Sequence, residues 1–330
     1  MTDNVFVTRN IPDEGIKMLN ADKRVKLKVF QKNRLITRKE LLHGVKGCNI
    51  ILSILTEKID KEVMDAAGPS LKMIANYAVG FDNIDLAEAK RRGIVVTSAA
   101  HPSVSESVAE HTIALLFALA HRVVESDHFT RSGLYKGWEP ELLLGTDLMG
   151  KTLGLIGTGN IGTMVARRLA SGFGMKILYT DVKRNTDFEK TFGGKFRTKE
   201  QLLRESDFVS LHVPLLPATH HLMNAAAFAL MKKTAFLLNT ARGPIVDSAA
   251  LVRALKKKQI AGAALDVFEG EPQFARKKSD AKYLQHTWNV ILTPHTASAT
   301  IETRQAMSRT AAENILAFVK GKRPADVIHS

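Results

Sequence analysis

The sequence contains almost no cysteine, since Cys48 is the only one in 330 residues. A single cysteine excludes a disulfide bond within the chain and is typical of proteins in a reducing compartment, so we expect a cytoplasmic protein. Cys48 precedes an apolar run typical of a strand. A small buried side chain is the ordinary interpretation there, and nothing around it indicates a nucleophile.

Long apolar runs are also missing. The longest unbroken one, from Ile113 to Ala120, is far shorter than the ~20 residues that a helix needs to cross a bilayer. The sequence therefore predicts no association with a membrane. Its hydrophobic content of 45% is nevertheless that of an ordinary globular protein, and 330 residues suffice for two domains with separate cores.

Aromatic residues are scarce at 6%, while the formal net charge is +14. The basic residues are scattered, and aromatic side chains do not alternate with them as a base-stacking surface would require. This pattern disfavours nucleic-acid binding, which stays a competing hypothesis. We interpret the charge as a solvated basic surface that attracts anionic substrates and cofactors.

Strand patterns alternate with helical patterns along two stretches of the chain, which predicts two α/β domains with parallel sheets. The strands are expected at 5–8, 25–30, 49–55, 71–76 and 94–97, and then at 152–156, 176–180, 208–212, 235–239, 262–266 and 290–292. A long helix is expected over 105–126, and a last helix over 301–319 has no place on a completed second sheet. We expect that helix to return to the first domain, so that the domains are 1–103 plus 297–330 and 104–296.

A glycine pattern follows the first strand of the second domain. Gly157, Gly159 and Gly162 come directly after this strand and open a helix. Gly157 permits a tight turn, Gly159 lets the backbone approach a pyrophosphate, and Gly162 lets the helix pack closely on the strand. The spacing alone is a weak signal, but with a strand before it and a helix after it the pattern predicts a dinucleotide-binding loop.

The next strand ends at Asp181, at about the distance expected of the acidic residue that binds the adenosine ribose hydroxyls. A 2′-phosphate there would meet a like charge, so the sequence favours NAD(H) over NADP(H). Lys183 and Arg184 follow closely and weaken this preference. NADP(H) therefore stays the less favoured alternative.

Three polar residues follow three further strands of the second domain. Arg242 follows the strand ending at Asn239, Glu271 follows the strand ending at Asp266, and His295 follows the last strand. Because open α/β sheets bind ligands at the carboxyl ends of their strands, we expect these side chains to meet at one edge.

The reduction of a 2-keto acid needs these three residue types. A guanidinium binds the substrate carboxylate and polarises the keto oxygen. An imidazolium donates a proton to that oxygen, and a neighbouring carboxylate holds the imidazole in one tautomer and favours its protonated form. Each residue alone has an ordinary structural interpretation, so the prediction depends on their joint placement. Other histidines, including His220 and His221, are interpreted as surface or loop residues, and no metal site is predicted.

Together with the segments 76–85 and 107–112, these motifs closely resemble those of the D-2-hydroxyacid dehydrogenase family, in the family's order and over essentially the whole chain. The resemblance implies a discontinuous flavodoxin-like substrate-binding domain and a doubly wound NAD-binding domain, both Rossmann-like, with an active-site cleft between them. It also implies a homodimer joined through the NAD-binding domains, which suits the apolar helix at 105–126.

The resemblance further implies roles for individual residues. Arg242 would bind the substrate, Glu271 and His295 would form the acid–base pair, and the backbone N–H groups of Val79 and Gly80 would bind the substrate carboxylate. The residues implied to line the cofactor are Thr112, Gly157, Thr158, Gly159, Asn160, Ile161, Gly162, Asp181, Pro214, Thr240, Ala241, Arg242, Asp266 and His295. We interpret Ile54, Trp138 and Leu143 as the wall that sizes the substrate, with a packing role as the alternative for Trp138.

Within the family, the motifs most resemble those of glyoxylate and hydroxypyruvate reductases. We therefore expect NADH-dependent reduction of one of these small 2-keto acids to its 2-hydroxy acid. A D-lactate or D-3-phosphoglycerate dehydrogenase is the alternative within the class. An NAD(H)-sensing interaction protein without catalysis is the alternative outside it.

Overall fold

The computed structural model describes residues 2–271 and 279–328, which divide into two compact units. The first unit runs up to Val104 and resumes at Ala299, and the second unit spans Ser105–Ser298. Each unit has a parallel sheet of its own with helices around it, as the alternating sequence pattern predicts.

The first unit contains a five-stranded sheet. Its strands are β1 (Asp3–Val7), β2 (Val25–Val29), β3 (Ile50–Ile54), β4 (Met73–Tyr77) and β5 (Val95–Ser98). The helices between them are α1 (Asp13–Ala21), α2 (Arg38–Gly44), α3 (Lys61–Ala67) and α4 (Leu86–Arg91). The strand order β2-β1-β3-β4-β5, with every pair parallel, is that of a flavodoxin-like sheet.

The middle of this sheet is buried on both faces. Every residue of β4 is buried, and in β3 only Ile54 at the carboxyl end is partly exposed. Strands covered by helices on both sides are expected to be mostly apolar without an alternation, and β3 and β4 follow this pattern apart from the buried polar residues Ser53 and Asn76. The loops that follow β3 and β4 therefore start from a rigid base.

The second unit contains a seven-stranded sheet. Its strands are β6 (Thr152–Ile156), β7 (Lys176–Thr180), β8 (Lys195–Phe196), β9 (Phe208–Leu211), β10 (Phe236–Asn239), β11 (Gly262–Leu265) and β12 (Val290–Leu292). Its helices are α5 (Pro102–Ala120), which begins three residues before the unit does, α6 (Val123–Arg131), α7 (Asn160–Phe173), α8 (Thr186–Phe192), α9 (Lys199–Glu205), α10 (Ala225–Leu230), α11 (Ser248–Lys256) and α12 (Ser279–Gln285).

All strands of the second sheet run parallel, in the order β12-β11-β10-β9-β6-β7-β8. This is a doubly wound order, in which the direction of strand addition reverses between β6 and β9. Consecutive residues of β10 face different cores, with Leu237 in the cluster around Val209 and Leu238 in the cluster around Leu155. The predicted α/β fold class is confirmed in both units.

The last helix, α13 (Ile301–Val319), packs against α1 in the first unit. The two backbones approach closely, because Gly15 N–H donates to Ser308 Oγ at 3.1 Å. A Cβ on Gly15 would lie 2.2 Å from the Ser308 carbonyl oxygen, so glycine is required there. Arg309 at the outer edge pairs with Glu14 at 2.6 Å.

The helix expected over 105–126 is broken in two. Arg122 adopts a left-handed backbone with φ of +52°, and its guanidinium pairs with Glu125 at 2.8 Å in the first turn of α6. Residues 132–151 then form neither helix nor strand. The apolar residues keep a helical spacing across the break, so the sequence pattern does not reveal it. The break depends on the backbone conformation of one residue, Arg122.

Among the described residues, no single helix is long and apolar enough to cross a membrane. Helices α5 and α6 reach the required length and composition only as a pair, and that pair is bent by 59°.

Candidate active site

The glycine loop joins β6 to α7 as the sequence predicts. Gly157 has φ of +98°, a backbone conformation that side chains disfavour, and a Cβ there would lie 2.6 Å from the His212 carbonyl oxygen. A Cβ on Gly162 would lie 2.3 Å from the Gly157 carbonyl oxygen, so the helix can approach the turn only with glycine at this position.

The start of α7 is open toward a ligand. A Cβ on Gly159 would have no described atom within 4 Å, and among the described residues none supplies a side chain that caps this helix. The uncapped N–H groups and the positive end of the helix dipole are suited to an anion. Asn160 and Ile161 form the first turn of α7. The residues present therefore fit the pyrophosphate of a dinucleotide.

Asp181 stands directly after β7 and contacts the glycine loop. Its Oδ2 accepts hydrogen bonds from Thr158 N–H at 2.8 Å and from Thr158 Oγ1 at 2.9 Å. Its Oδ1 accepts one from Val182 N–H at 2.7 Å. The carboxylate is thus held beside the glycine loop.

His295 and Glu271 are brought into contact at the carboxyl ends of β11 and β12. Nδ1 of His295 lies 2.8 Å from Oε2 of Glu271, and Phe268 N–H donates to the other carboxylate oxygen at 2.5 Å. Because the carboxylate accepts the proton on Nδ1, Nε2 is the ring nitrogen that can exchange a proton with a ligand. The side chains are 29% and 26% exposed, so solvent reaches both.

His295 adopts a strained backbone conformation, with φ of +56°. A non-glycine residue in the left-handed region costs roughly 1–2 kcal/mol and persists only where its surroundings enforce it. Here the backbone N–H of His295 donates to the Asp266 carbonyl at 2.9 Å. In this conformation the imidazole contacts Glu271.

Asp266 holds the segment around His295 in place through hydrogen bonds. Its fully buried carboxylate accepts hydrogen bonds from Thr293 Oγ1 at 2.6 Å and from the N–H groups of Thr296 and Ala297 at 2.8 and 2.9 Å. His111 Nε2 lies 3.1 Å from Thr293 Oγ1 and 3.5 Å from the carboxylate. Burial alone would raise the pKa of Asp266, but hydrogen bonds from His111 and its other donors lower it below the ordinary value.

His111 and Thr293 are two residues of this network that the sequence analysis did not single out. His111 lies within the 107–112 motif, directly before Thr112, so the motif itself was the signal that could have identified it. Since Thr293 donates to Asp266, it accepts from His111, and Nε2 of His111 therefore carries a proton.

Arg242 follows β10, in the turn before the short 3-10 helix Gly243–Ile245. The Asn239 side chain organises this turn, donating to the Arg242 carbonyl at 2.9 Å and accepting from Ala241 N–H at 3.0 Å. The Arg242 guanidinium donates to the Ala241 carbonyl at 2.7 Å. The turn packs tightly on the loop that carries Glu271, since a Cβ on Gly243 would lie 2.0 Å from the Phe268 carbonyl oxygen.

Two further residues implied to line the cofactor are in contact. Thr112 and Thr240 are both buried, with their hydroxyl oxygens 2.9 Å apart, and the Thr112 hydroxyl also donates to the Val108 carbonyl at 2.7 Å. Pro214 lies in the loop after β9, and its carbonyl accepts a hydrogen bond from Thr219 Oγ1 at 2.7 Å.

In the first unit, Ile54 and Gly80 belong to one hydrogen-bonded network. Asn76 donates to the Gly80 carbonyl at 2.9 Å and lies within hydrogen-bond distance of Asn83, which donates to the Ile54 carbonyl at 3.2 Å. These amides hold the loops after β3 and β4 together. Val79, next to Gly80, is 44% exposed.

Trp138 lies in the irregular segment after α6 and is 81% exposed. Its side chain is therefore largely uncovered in the single chain, and its place in the substrate wall and its packing role both stay predictions. Leu143, in the same segment, has a left-handed backbone with φ of +53°.

Comparison with known proteins gives consistent matches. The profile of the NAD binding domain of D-isomer specific 2-hydroxyacid dehydrogenases matches residues 113–297. The chain is 46% identical over 334 residues to the glyoxylate reductase of Thermococcus kodakarensis, covering 100% of this chain and 97% of that protein.

Solved structures agree with these matches. The TT0316 protein from Thermus thermophilus has a TM-score of 0.90 and 41% identity, covering 99% of this chain and 100% of that one. The D-lactate dehydrogenase from Aquifex aeolicus complexed with NAD and lactic acid has a TM-score of 0.86 and 32% identity, covering 99% of both chains. With a profile match over more than half of its length and relatives aligned over nearly all of it, this chain belongs to the D-isomer specific 2-hydroxyacid dehydrogenase family.

Proposed function

We propose that this protein uses NAD(H) to reduce a small 2-keto acid, glyoxylate or hydroxypyruvate, to the 2-hydroxy acid, with D configuration where the product is chiral. The contact of 2.8 Å between His295 and Glu271 is the observation that carries this proposal. It provides a general acid at the carboxyl edge of the sheet that also carries the dinucleotide loop.

The nicotinamide, when bound, supplies the hydride that the keto carbon accepts. His295 donates the proton from Nε2 to the keto oxygen, so that the carbonyl becomes a hydroxyl group. Glu271 holds the imidazole by Nδ1 and stabilises its protonated form before the transfer. The left-handed backbone at His295 and the buried Asp266 fix the direction of the ring.

We assign candidate substrate-binding residues in each unit separately. Arg242 binds the substrate carboxylate and polarises the keto oxygen with fixed donors. In the first unit, the backbone N–H groups of Val79 and Gly80 are the proposed carboxylate-binding groups, and the Asn76 side chain donates to the Gly80 carbonyl at 2.9 Å in the same loop. Ile54 and Trp138 limit the size of the substrate. The first unit is thus the substrate-binding domain, and the second is the NAD-binding domain.

The cofactor preference follows from Asp181. Its carboxylate lies beside the glycine loop, and we infer that it accepts hydrogen bonds from the adenosine ribose hydroxyls and repels a 2′-phosphate. We expect NADH to be preferred over NADPH, and Asp181→Ser to raise the KM for NADH while lowering that for NADPH. An unchanged ratio of the two KM values would contradict this assignment.

We also propose a homodimer joined through the second unit. Within 123–149, several large apolar side chains are half exposed or more, which a monomer seldom tolerates over one short segment. They are Val123, Val124, Leu134, Tyr135, Leu144 and Met149. Sedimentation should give a dimer, and Tyr135→Asp should shift it toward monomer. A wild-type monomer would refute the proposal.

The decisive experiment measures NADH oxidation with glyoxylate, hydroxypyruvate, pyruvate and phosphohydroxypyruvate. We expect the highest kcat/KM with one of the first two. A preference for pyruvate or for the phosphorylated acid would instead indicate a D-lactate or D-3-phosphoglycerate dehydrogenase. Inertness toward all four, with NADH still bound, would replace the enzyme proposal by a cofactor-sensing role.

A further inference from the structure

Two adjacent histidines lie close to a glutamate in the loop that also carries Glu271. His220 and His221 lie in the loop after β9, and Glu269 lies in the loop after β11. One ligand atom of each lies within 4.8 Å of the other two. In the part of the chain that the structure describes, no other three histidine, cysteine or acidic side chains are grouped in this way.

The backbone turns both imidazoles to the same side. His221 has φ of +50°, in the left-handed region, and its N–H donates to the Pro244 carbonyl at 2.8 Å. The rings of His220 and His221 consequently stack, with centroids 4.1 Å apart and 27° between the planes. Consecutive side chains of an extended chain would point in opposite directions, so the strained residue is what brings these two together.

The carboxylate of Glu269 is held in place by hydrogen bonds to both of its oxygens. One oxygen accepts a hydrogen bond from Ser248 N–H at 2.9 Å, and the other lies 2.7 Å from Nε2 of His221. The orientation of this carboxylate resembles that of metal-binding carboxylates, which are fixed by a further donor.

We propose that His220, His221 and Glu269 form a binding site for one Zn²⁺ ion. Two imidazoles and a carboxylate are a ligand set that this ion accepts, with water completing a tetrahedral shell. The site is reachable, because His220 is exposed and the side chains of His221 and Glu269 are 36% and 28% exposed.

The adjustment needed on binding is small. Zinc lies about 2.0–2.2 Å from such ligands, so the ligand atoms must stand roughly 3.3 Å apart. His221 and Glu269 have to separate slightly from 2.7 Å, and the exposed His220 ring has to rotate inward. The ion takes the place of the proton on His221 Nε2 that faces Glu269, and in the neutral imidazole that proton moves to Nδ1.

The test is a titration of the chelator-treated, full-length protein with Zn²⁺ in competition with a chromophoric chelator. We expect one ion per wild-type chain. His220→Ala should weaken binding at least about tenfold, because it removes a ligand, and a change in an exposed ring should leave the fold intact. His43→Ala, which removes an exposed histidine from α2, is the matched control and should bind as the wild type does.

A second variant separates a ligand from a hydrogen-bond partner. Glu269→Gln retains an acceptor for Ser248 but loses the charge, so it should also weaken Zn²⁺ binding. A wild-type chain that takes no Zn²⁺ from a chelator of micromolar affinity would overturn the proposal, as would unchanged affinity in both His220→Ala and Glu269→Gln. Because the readout is binding, the result is independent of whether the proposed reductase activity is found.

Discussion

The exchange Glu271→Gln tests whether the carboxylate acts through His295. The variant keeps the shape of the side chain but loses the charge that accepts the Nδ1 proton at 2.8 Å. A hydrogen bond to a charged group contributes about 1.5–3 kcal/mol. At about 1.4 kcal/mol for each factor of ten, this predicts a loss of roughly 10- to 100-fold in kcat. Because both side chains are more than a quarter exposed, solvent screening weakens this hydrogen bond. We therefore expect a loss in kcat in the lower part of that range.

The stronger form of this prediction is a double-mutant cycle. His295→Ala should cost at least ~100-fold in kcat, because it removes the general acid. If Glu271 acts only through the imidazole, adding Glu271→Gln to His295→Ala should cause little further loss. Steady-state NADH oxidation with the preferred keto acid measures all four proteins, and Glu200→Gln on the exposed side of α9 is the control. Multiplicative losses in the double variant would refute the reasoning.

Three further predictions concern the residues around this pair. Gly162→Ala should abolish NADH binding in a fluorescence titration, because its Cβ would collide with the Gly157 carbonyl, whereas Gly172→Ala in the same helix meets open space and should bind as the wild type does. Since the folded pKa of Asp266 lies below the unfolded value, its ionised form stabilises the fold at neutral pH and this contribution is lost as the pH falls below about 4. Urea unfolding should therefore show Asp266→Asn destabilised at pH 7, with the gap to the wild type narrowing under acid conditions. His111→Gln, which keeps a donor near Thr293, should retain far more kcat than His111→Leu, and equal losses in the two would contradict a positioning role for that donor.

Much of the fold could be predicted because it depends on local patterns. The strands around Ile50–Ile54 and Leu153–Ile156 are apolar runs of strand length with turns after them, and parallel sheets covered on both faces require such runs. The glycine loop was predictable for the same reason, since its spacing and its flanking elements are contiguous in sequence. Strand β8 was missed, because two residues carry no periodicity.

The candidate site was predictable in its residue types but not in its supporting contacts. Arg242, Glu271 and His295 each follow a strand, and strand ends meet at one edge of a parallel sheet. The contact of His111 with Thr293 joins positions 182 residues apart and depends on how α5 packs, which no local pattern encodes. The left-handed backbone at Arg122, His221 and His295 was likewise not predicted, because non-glycine residues seldom adopt it and no local pattern marks these three positions.

The return of α13 to α1 has a consequence for the order in which the chain folds. The bond between Gly15 and Ser308 spans 293 positions, whereas every strand of the second sheet lies between Thr152 and Leu292. During synthesis the second unit can complete itself as soon as it has left the ribosome, but the first must keep α1 uncovered until almost the last residue is made. The face of α1 that α13 covers in the finished protein is where we expect a chaperone to bind during synthesis. The same face is where we expect a truncated chain to aggregate.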